Sequence, residues 1–261
     1  MEQITQNNKI KSLLYTFAGI SGISLVIIIH EMGHFITAQL CGVTIPTFSI
    51  GFGPTIFSVP IGETTFQIAA LPLGGYVTMD PKSLADQSYV AKMLIISAGI
   101  IFNLIFAYGI FIYYALRNQL PFQTESEPNS LKNALKKSHA HSSATISSIK
   151  THATHTLTQK NQPSGIIGPI GIINVIGKSL AISTRSFWLM IGVVSLNIGL
   201  FNLLPLPFFD GGQALMITIE TLSGKTISPK IASYISLFFL GLFLLFMGTV
   251  SKNDVKRLLK K

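Results

Sequence analysis

The chain has 261 residues, 48% of them hydrophobic and only 11% charged, against roughly 25% charged in a soluble globular domain, which excludes such a domain and indicates a membrane protein. The formal net charge of +9 does not mark a nucleic-acid binder, because the lysines do not alternate with aromatics. They lie mostly in tails and one polar loop, where membrane topology and anionic headgroups account for them. The single cysteine, Cys41, excludes an internal disulfide and reads as a small apolar filler.

Residues 1 to 12 are polar, and the run from Leu13 to about Ile36 is long enough to cross the hydrocarbon with some tilt. It is not a cleavable signal peptide, since it holds His30, Glu31 and His34 and no small-residue cleavage pattern clearly follows. On a helix, His30 and His34 are four apart and project from one face, within reach of one metal ion. In this HExxH arrangement the histidines hold zinc and the glutamate takes a proton from metal-activated water. Such a short pattern also arises by chance. Here, however, a carboxylate and two imidazoles in an apolar run cost several kcal/mol unless paired, hydrated or metal-bound, which favours the metal.

From Cys41 to Asp80, β-branched and aromatic residues alternate with small or polar ones and Gly/Pro pairs punctuate the runs, predicting a short β sheet. Open sheet edges cannot face lipid, so the sheet must lie against protein, line a wet cavity or sit at the interface. Its edge either adds an extended peptide as a further strand or belongs to an ordinary interfacial hairpin. Ala91 to Ala115 is the second span. In it Ser97 and Gly99 suit close helix contact, and Asn103 either steadies a substrate carbonyl or hydrogen-bonds a neighbouring helix, the commoner use.

Residues 117 to about 163 are polar, and His139, His141, His152 and His155 read as solvated loop residues rather than a metal site. An apolar segment opening at Gly165 and running to about Ile182 is too interrupted for a span; it predicts an interfacial or re-entrant helix, with Lys178 reaching headgroups. The third span, about Ser186 to Leu204, stops at Pro205 and Pro207, whose rings remove amide donors. Asp210 follows. It either caps a helix from Gly211 to about Thr221 or turns back as the third ligand that His30 and His34 lack. Two histidines and a carboxylate plus water form a catalytic zinc set with an open position, and the otherwise incomplete site favours the ligand. A last span covers about Ile231 to Val250, before a basic tail from Lys252 to Lys261. The expected architecture is an all-α polytopic membrane protein with about four transmembrane helices and a small membrane-associated β sheet between the first and second. Three parts are expected: residues 1–116, a polar loop 117–164, and residues 165–261.

Four stretches together resemble the site-2 protease family of intramembrane zinc metalloproteases, peptidase family M50. They are His30-Glu31-Met32-Gly33-His34; Phe48 to Gly53 with Leu71 to Val77; Gly99 with Asn103; and Asn202-Leu-Leu-Pro205-Leu-Pro207-Phe-Phe-Asp210-Gly-Gly212. The resemblance implies that His30, His34 and Asp210 bind one zinc ion, that Glu31 is the general base, and that the substrate is a membrane protein cut in its transmembrane helix. It also implies that the β region, with Gly74 and Gly75, engages the substrate, that Asn202 lies near the site to help bind it, and that the setting is a bacterial inner membrane. Phe209 stands where the family motif usually has Leu. The stretch 117–163 is too short and polar for the PDZ domains of the envelope-stress branch, so a compact form is expected. Fifteen of the nineteen Lys/Arg residues share the side of both termini and the long loop. That bias puts the termini in the cytoplasm, opposite to what the PDZ-bearing branch implies. A metal transporter would want further His or carboxylate groups along a path through the spans, and the other apolar runs hold none. A non-catalytic scaffold would not need an intact Glu31.

Overall fold

The computed structural model describes residues 2–117, 119–120, 130–158, 168–225 and 227–259. In chain order these form helix α1 (Glu2–Leu40), strands β1 (Thr47–Ile61) and β2 (Thr64–Thr78), and helices α2 (Pro81–Ala85), α3 (Tyr89–Leu116), α4 (Leu131–Thr158), α5 (Pro169–Ile182), α6 (Thr184–Asn202), α7 (Asp210–Ser223) and α8 (Pro229–Leu259). Among the described residues, four segments are long and apolar enough to cross a membrane: Ile10–Leu40, Tyr89–Leu116, Thr184–Asn202 and Lys230–Lys252. The shortest has 19 residues, about 28 Å at 1.5 Å per residue, which matches the hydrocarbon core. The 14 residues of α5 fall short of that. The expected four-span chain with a small sheet between the first two spans is what the structure has.

Contacts divide the chain into two units, one of residues 1–19, 105–196 and 245–261, the other of residues 20–104 and 197–244. In the first unit, Gly19 lies against the backbone of Ile173 and Gly177 against that of Tyr15, so the start of α1 meets α5 without intervening side chains. The carboxylate of Asp254, near the end of α8, accepts the N–H groups of Gly168 (2.8 Å) and Gly171 (3.1 Å) at the otherwise uncapped start of α5. The polar stretch expected as a loop contains α4 instead. Ser, Thr and His lack the apolar periodicity that announces a helix, but tertiary packing supplies the stability that propensity does not. Ala134, Ser138 and Ser142, four apart, are buried. His141 is not a solvated loop residue: it stands edge-on to Phe111 at 4.7 Å between ring centroids, and burial pushes its imidazole below the usual range. His139 sits with its Nδ1 3.4 Å from the Tyr108 hydroxyl.

In the second unit, α1 ends where Gly42 takes a positive φ of 76° and the N–H of Val43 returns to the carbonyl of Ala38 (2.9 Å). Both strands bend, so each contributes two arms. Ile61 opposite Thr64 closes a hairpin over Gly62 (φ 62°), while Phe48 opposite Val77 and Ile50 opposite Gly75 pair the outer arms. The Thr47–Ile50 arm is central, because its other edge meets Thr65 to Ile68. A cluster of Phe35, Ala38, Val43, Ile45, Phe48 and Ile95 fastens this sheet to α1 and α3. Phe35, Phe48 and Phe66 form its aromatic centre, with ring centroids 5.4 to 5.5 Å apart. Since Phe35 follows His34 directly, the sheet is anchored beside the sequence's ionisable cluster.

Candidate metal centre

All the residues singled out from the sequence as site residues belong to the second unit. His30 and His34 are buried on one face of α1, with their Nε2 atoms 3.2 Å apart. The Nδ1 of His34 lies 2.8 Å from the carbonyl oxygen of Ile95, which can only accept, so Nδ1 carries a proton and, in the neutral ring, Nε2 presents a lone pair. Two glycines permit this approach. A Cβ on Gly99 would run into both imidazoles, and one on Gly33 would run into the Ala98 carbonyl, so α1 and α3 cross at backbone distance. The amide nitrogen Nδ2 of Asn103, one turn beyond Gly99, stands 3.3 Å from Nδ1 of His30. It therefore meets the neighbouring helix, the commoner of the two uses expected for it.

Asp210 arrives from the other end of the chain. Helix α6 ends at Asn202, and the turn through Pro205 and Pro207 leads to α7, whose first residue is Asp210. Gly211 and Gly212 pack directly on the carbonyls of Leu203 and Leu206, where a Cβ would not fit, and so fold the first turn of α7 back over the loop. Asp210 does not cap that helix: the N-cap position is Phe209, and no side-chain hydrogen bond caps the turn. Its Oδ2 points instead to Nε2 of His30 (3.2 Å) and Nε2 of His34 (3.4 Å).

The three atoms are thus 3.2, 3.2 and 3.4 Å apart. For a tetrahedral ion with ligand bonds of about 2.0–2.1 Å, the edge between ligands is about 3.3 Å, so the triangle has the size of one face of a zinc coordination sphere. The chemistry agrees. Oδ2 of Asp210 is buried and receives no well-aligned hydrogen bond among the described residues, while the lone pair of His34 faces it. Acceptors turned on one another inside protein call for a cation between them. Among the described residues this is the one group of three or more His, Cys, Asp or Glu side chains placed to share a metal ion.

Glu31 is half-buried beside this triangle, and the backbone of Val77 bears on its carboxylate. Gly75 closes on the same side chain: a Cβ there would lie 3.1 Å from Cγ of Glu31 and 2.9 Å from the Ser49 carbonyl. Gly74 is covered by the ring of Phe52, which stacks on Tyr76 at 6.2 Å. Asn202 is half-buried, and its amide donates to the Ile198 carbonyl of its own helix (3.0 Å). Sequence reasoning missed the Ile95 carbonyl, the Gly33 crossing and the role of Val77. Only the four-residue spacing of positions 95, 99 and 103 on α3 could have hinted at a stripe matching His30 and His34.

Among the described residues, four helices long and apolar enough to cross a membrane and a buried His/His/carboxylate group that could hold a metal ion define a polytopic membrane protein with a candidate metal centre. The family model described as peptidase family M50 matches residues 18–247, and the chain belongs to that family. A protein of Clostridium acetobutylicum with the provisional name of zinc metalloprotease is 22% identical over 320 aligned positions, covering 88% of this chain and 94% of that one. One from Nostoc, provisionally named in the same way, is 24% identical over 89% of this chain and 95% of its own length. A chloroplastic protein of Arabidopsis thaliana, provisionally named as a membrane metalloprotease, is 24% identical over 91% of this chain and 80% of its own. Both bacterial alignments, at 320 and 345 positions, are longer than this whole chain, so those relatives carry residues that it lacks. The family makes this chain a membrane metalloprotease with zinc as its cofactor, and the acceptor triangle is a place that fits such an ion.

Proposed function

We propose that the protein is an intramembrane zinc endopeptidase that cuts transmembrane segments of membrane-protein substrates, in a bacterial inner membrane. His30, His34 and Asp210 hold the ion and Glu31 is the general base. The observation that carries this reading is the 3.2–3.4 Å triangle of Nε2, Nε2 and Oδ2 with a carboxylate next to it. A bound zinc ion would supply Lewis acidity, lowering the pKa of a water molecule and polarising the scissile carbonyl. Glu31 takes a proton from the attacking water as its oxygen bonds to the carbonyl carbon, then delivers it to the nitrogen as the C–N bond breaks, leaving an amine and a carboxylic acid, whose proton passes to the amine to give carboxylate and ammonium. The half-buried setting of Glu31, closed over by Gly75 and Val77, limits bulk water around that transfer.

A transmembrane helix must unwind before its carbonyl is reachable. We assign Gly74 and Gly75, on the β2 arm beside Glu31, and Asn202, at the end of α6, as groups that meet the extended peptide. The three-part division at residues 116 and 164 belongs to the same reading, with the middle part built as α4 rather than a sensor domain. Purified chain incubated with a single-span model substrate tests it. Cleavage that stops with a zinc chelator and in Glu31→Gln is expected. Cleavage untouched by both would remove the proposal, and a metal transporter would show transbilayer metal flux in proteoliposomes without any cleavage.

A further inference from the structure

Helix α3 carries three positions four residues apart that meet the two histidines in antiparallel order. Ile95 offers a carbonyl to His34 Nδ1, Gly99 offers an empty place where both rings lie, and Asn103 offers an amide to His30 Nδ1. The stripe repeats every four residues, as does the histidine pair on α1, so each imidazole has its own partner on its outward nitrogen. For His34 that partner is a carbonyl, which leaves no choice of tautomer. For His30 it is a side-chain amide, wholly buried. The atom at 3.3 Å from Nδ1 is Nδ2, but the two ends of an amide are alike in shape and either can face the ring; only the oxygen accepts a proton from Nδ1 and leaves Nε2 free to face Asp210.

We propose that Asn103 is the positioning residue of the metal centre: with its amide turned so that the oxygen takes the place of Nδ2, it accepts from Nδ1–H of His30 and so aims the Nε2 lone pair at the point shared with His34 and Asp210. Outer partners of this type fix ring orientation and raise ligand basicity, and losing one costs about 10- to 100-fold in metal affinity. The inference rests on the zinc-site reading above. Of the two uses the sequence left open for Asn103, it sets aside the substrate carbonyl and gives the contact with the neighbouring helix a role in the ligand shell. The empty place at Gly99 supports it, because the amide reaches the ring only if nothing lies between the α3 backbone and the imidazoles.

The test is zinc affinity of the detergent-solubilised full chain, measured by competition with a chromogenic chelator, in Asn103→Leu, Asn103→Asp and His30→Ala. The leucine keeps the volume but offers no acceptor, and a 10- to 100-fold weaker affinity is expected. The aspartate restores an acceptor to Nδ1–H and is expected to bind zinc at least as tightly as the parent, a rescue that a purely packing role would not give. Parent-like affinity in Asn103→Leu, or an equal loss in both Asn103 variants, overturns the inference while His30→Ala still loses zinc. Parent-like zinc binding in His30→Ala would instead sink the underlying site. If the leucine variant is not recovered folded, the aspartate variant decides alone, and a tenfold loss in it overturns the assignment.

Discussion

Two buried aspartates, one in each unit, contrast a structural carboxylate with the proposed metal ligand. Asp254 is 4% exposed and Asp210 is 8% exposed. Asp254 accepts two backbone N–H groups at the start of α5 and has what a buried anion needs. Asp210 sits at a helix start of its own, yet its Oδ2 turns away from the backbone and faces two imidazole nitrogens, one of which presents a lone pair in the neutral ring. Equal burial with opposite surroundings points to opposite purposes. The first carboxylate joins helix ends, and the second is the third ligand in the proposed zinc site.

The largest effect expected around this contrast is on catalysis. Glu31→Gln removes the proposed base but leaves the acceptor triangle whole, so proteolysis of a model substrate should fall about 10²- to 10⁴-fold with zinc content unchanged. Loss of zinc together with activity would mean that Glu31 is a ligand instead. Next comes metal retention: Asp210→Asn should lose zinc while Asp254→Asn keeps it, by elemental analysis after dialysis. Stability should run the other way. Relieving acceptors that repel one another should leave the metal-free Asp210→Asn protein as stable as the parent or more so. Asp254→Asn should cost about 1–3 kcal/mol, because two buried N–H groups lose a charged acceptor. A chain in which both substitutions destabilise alike would erase the distinction.

Gly99→Ala should weaken zinc binding, since the added methyl occupies the place of the two rings, and chelator competition would detect it. The smallest effect concerns His141. Burial depresses its pKa, so the folded chain holds it neutral while the unfolded chain takes up a proton below about pH 6.5. Stability is therefore present above that pH and declines as the solution is acidified toward the depressed folded value. His141→Leu should flatten this slope in thermal melts between pH 7 and pH 5, and an unchanged slope would assign the acid sensitivity elsewhere.

Much of the site was legible in the chain itself, because metal chemistry needs fixed residue types at fixed spacing. His30 and His34 follow from the helical repeat, and Asp210 from the Pro/Gly break that ends α6. The sheet was legible from alternation and glycines, but not its folded-back pairing, since Thr47 to Ile50 takes partners on both edges. Helix α4 was not legible, because its buried face is Ala134, Ser138 and Ser142 rather than an apolar stripe. Neither was the Ile95 carbonyl, since a backbone acceptor leaves no trace in residue identity. Asn103 stood out as polar within an apolar span, and only the packing of α1 on α3 shows which group it meets.

Zinc K-edge X-ray absorption on the purified full chain tests the central claim most directly. A four-coordinate ion with nitrogen and oxygen donors at about 2.0–2.1 Å, imidazole scattering from two rings, and loss of the bound ion in Asp210→Asn is the expected result. A shell containing sulfur from Cys41, or a spectrum that Asp210→Asn leaves intact, would contradict it.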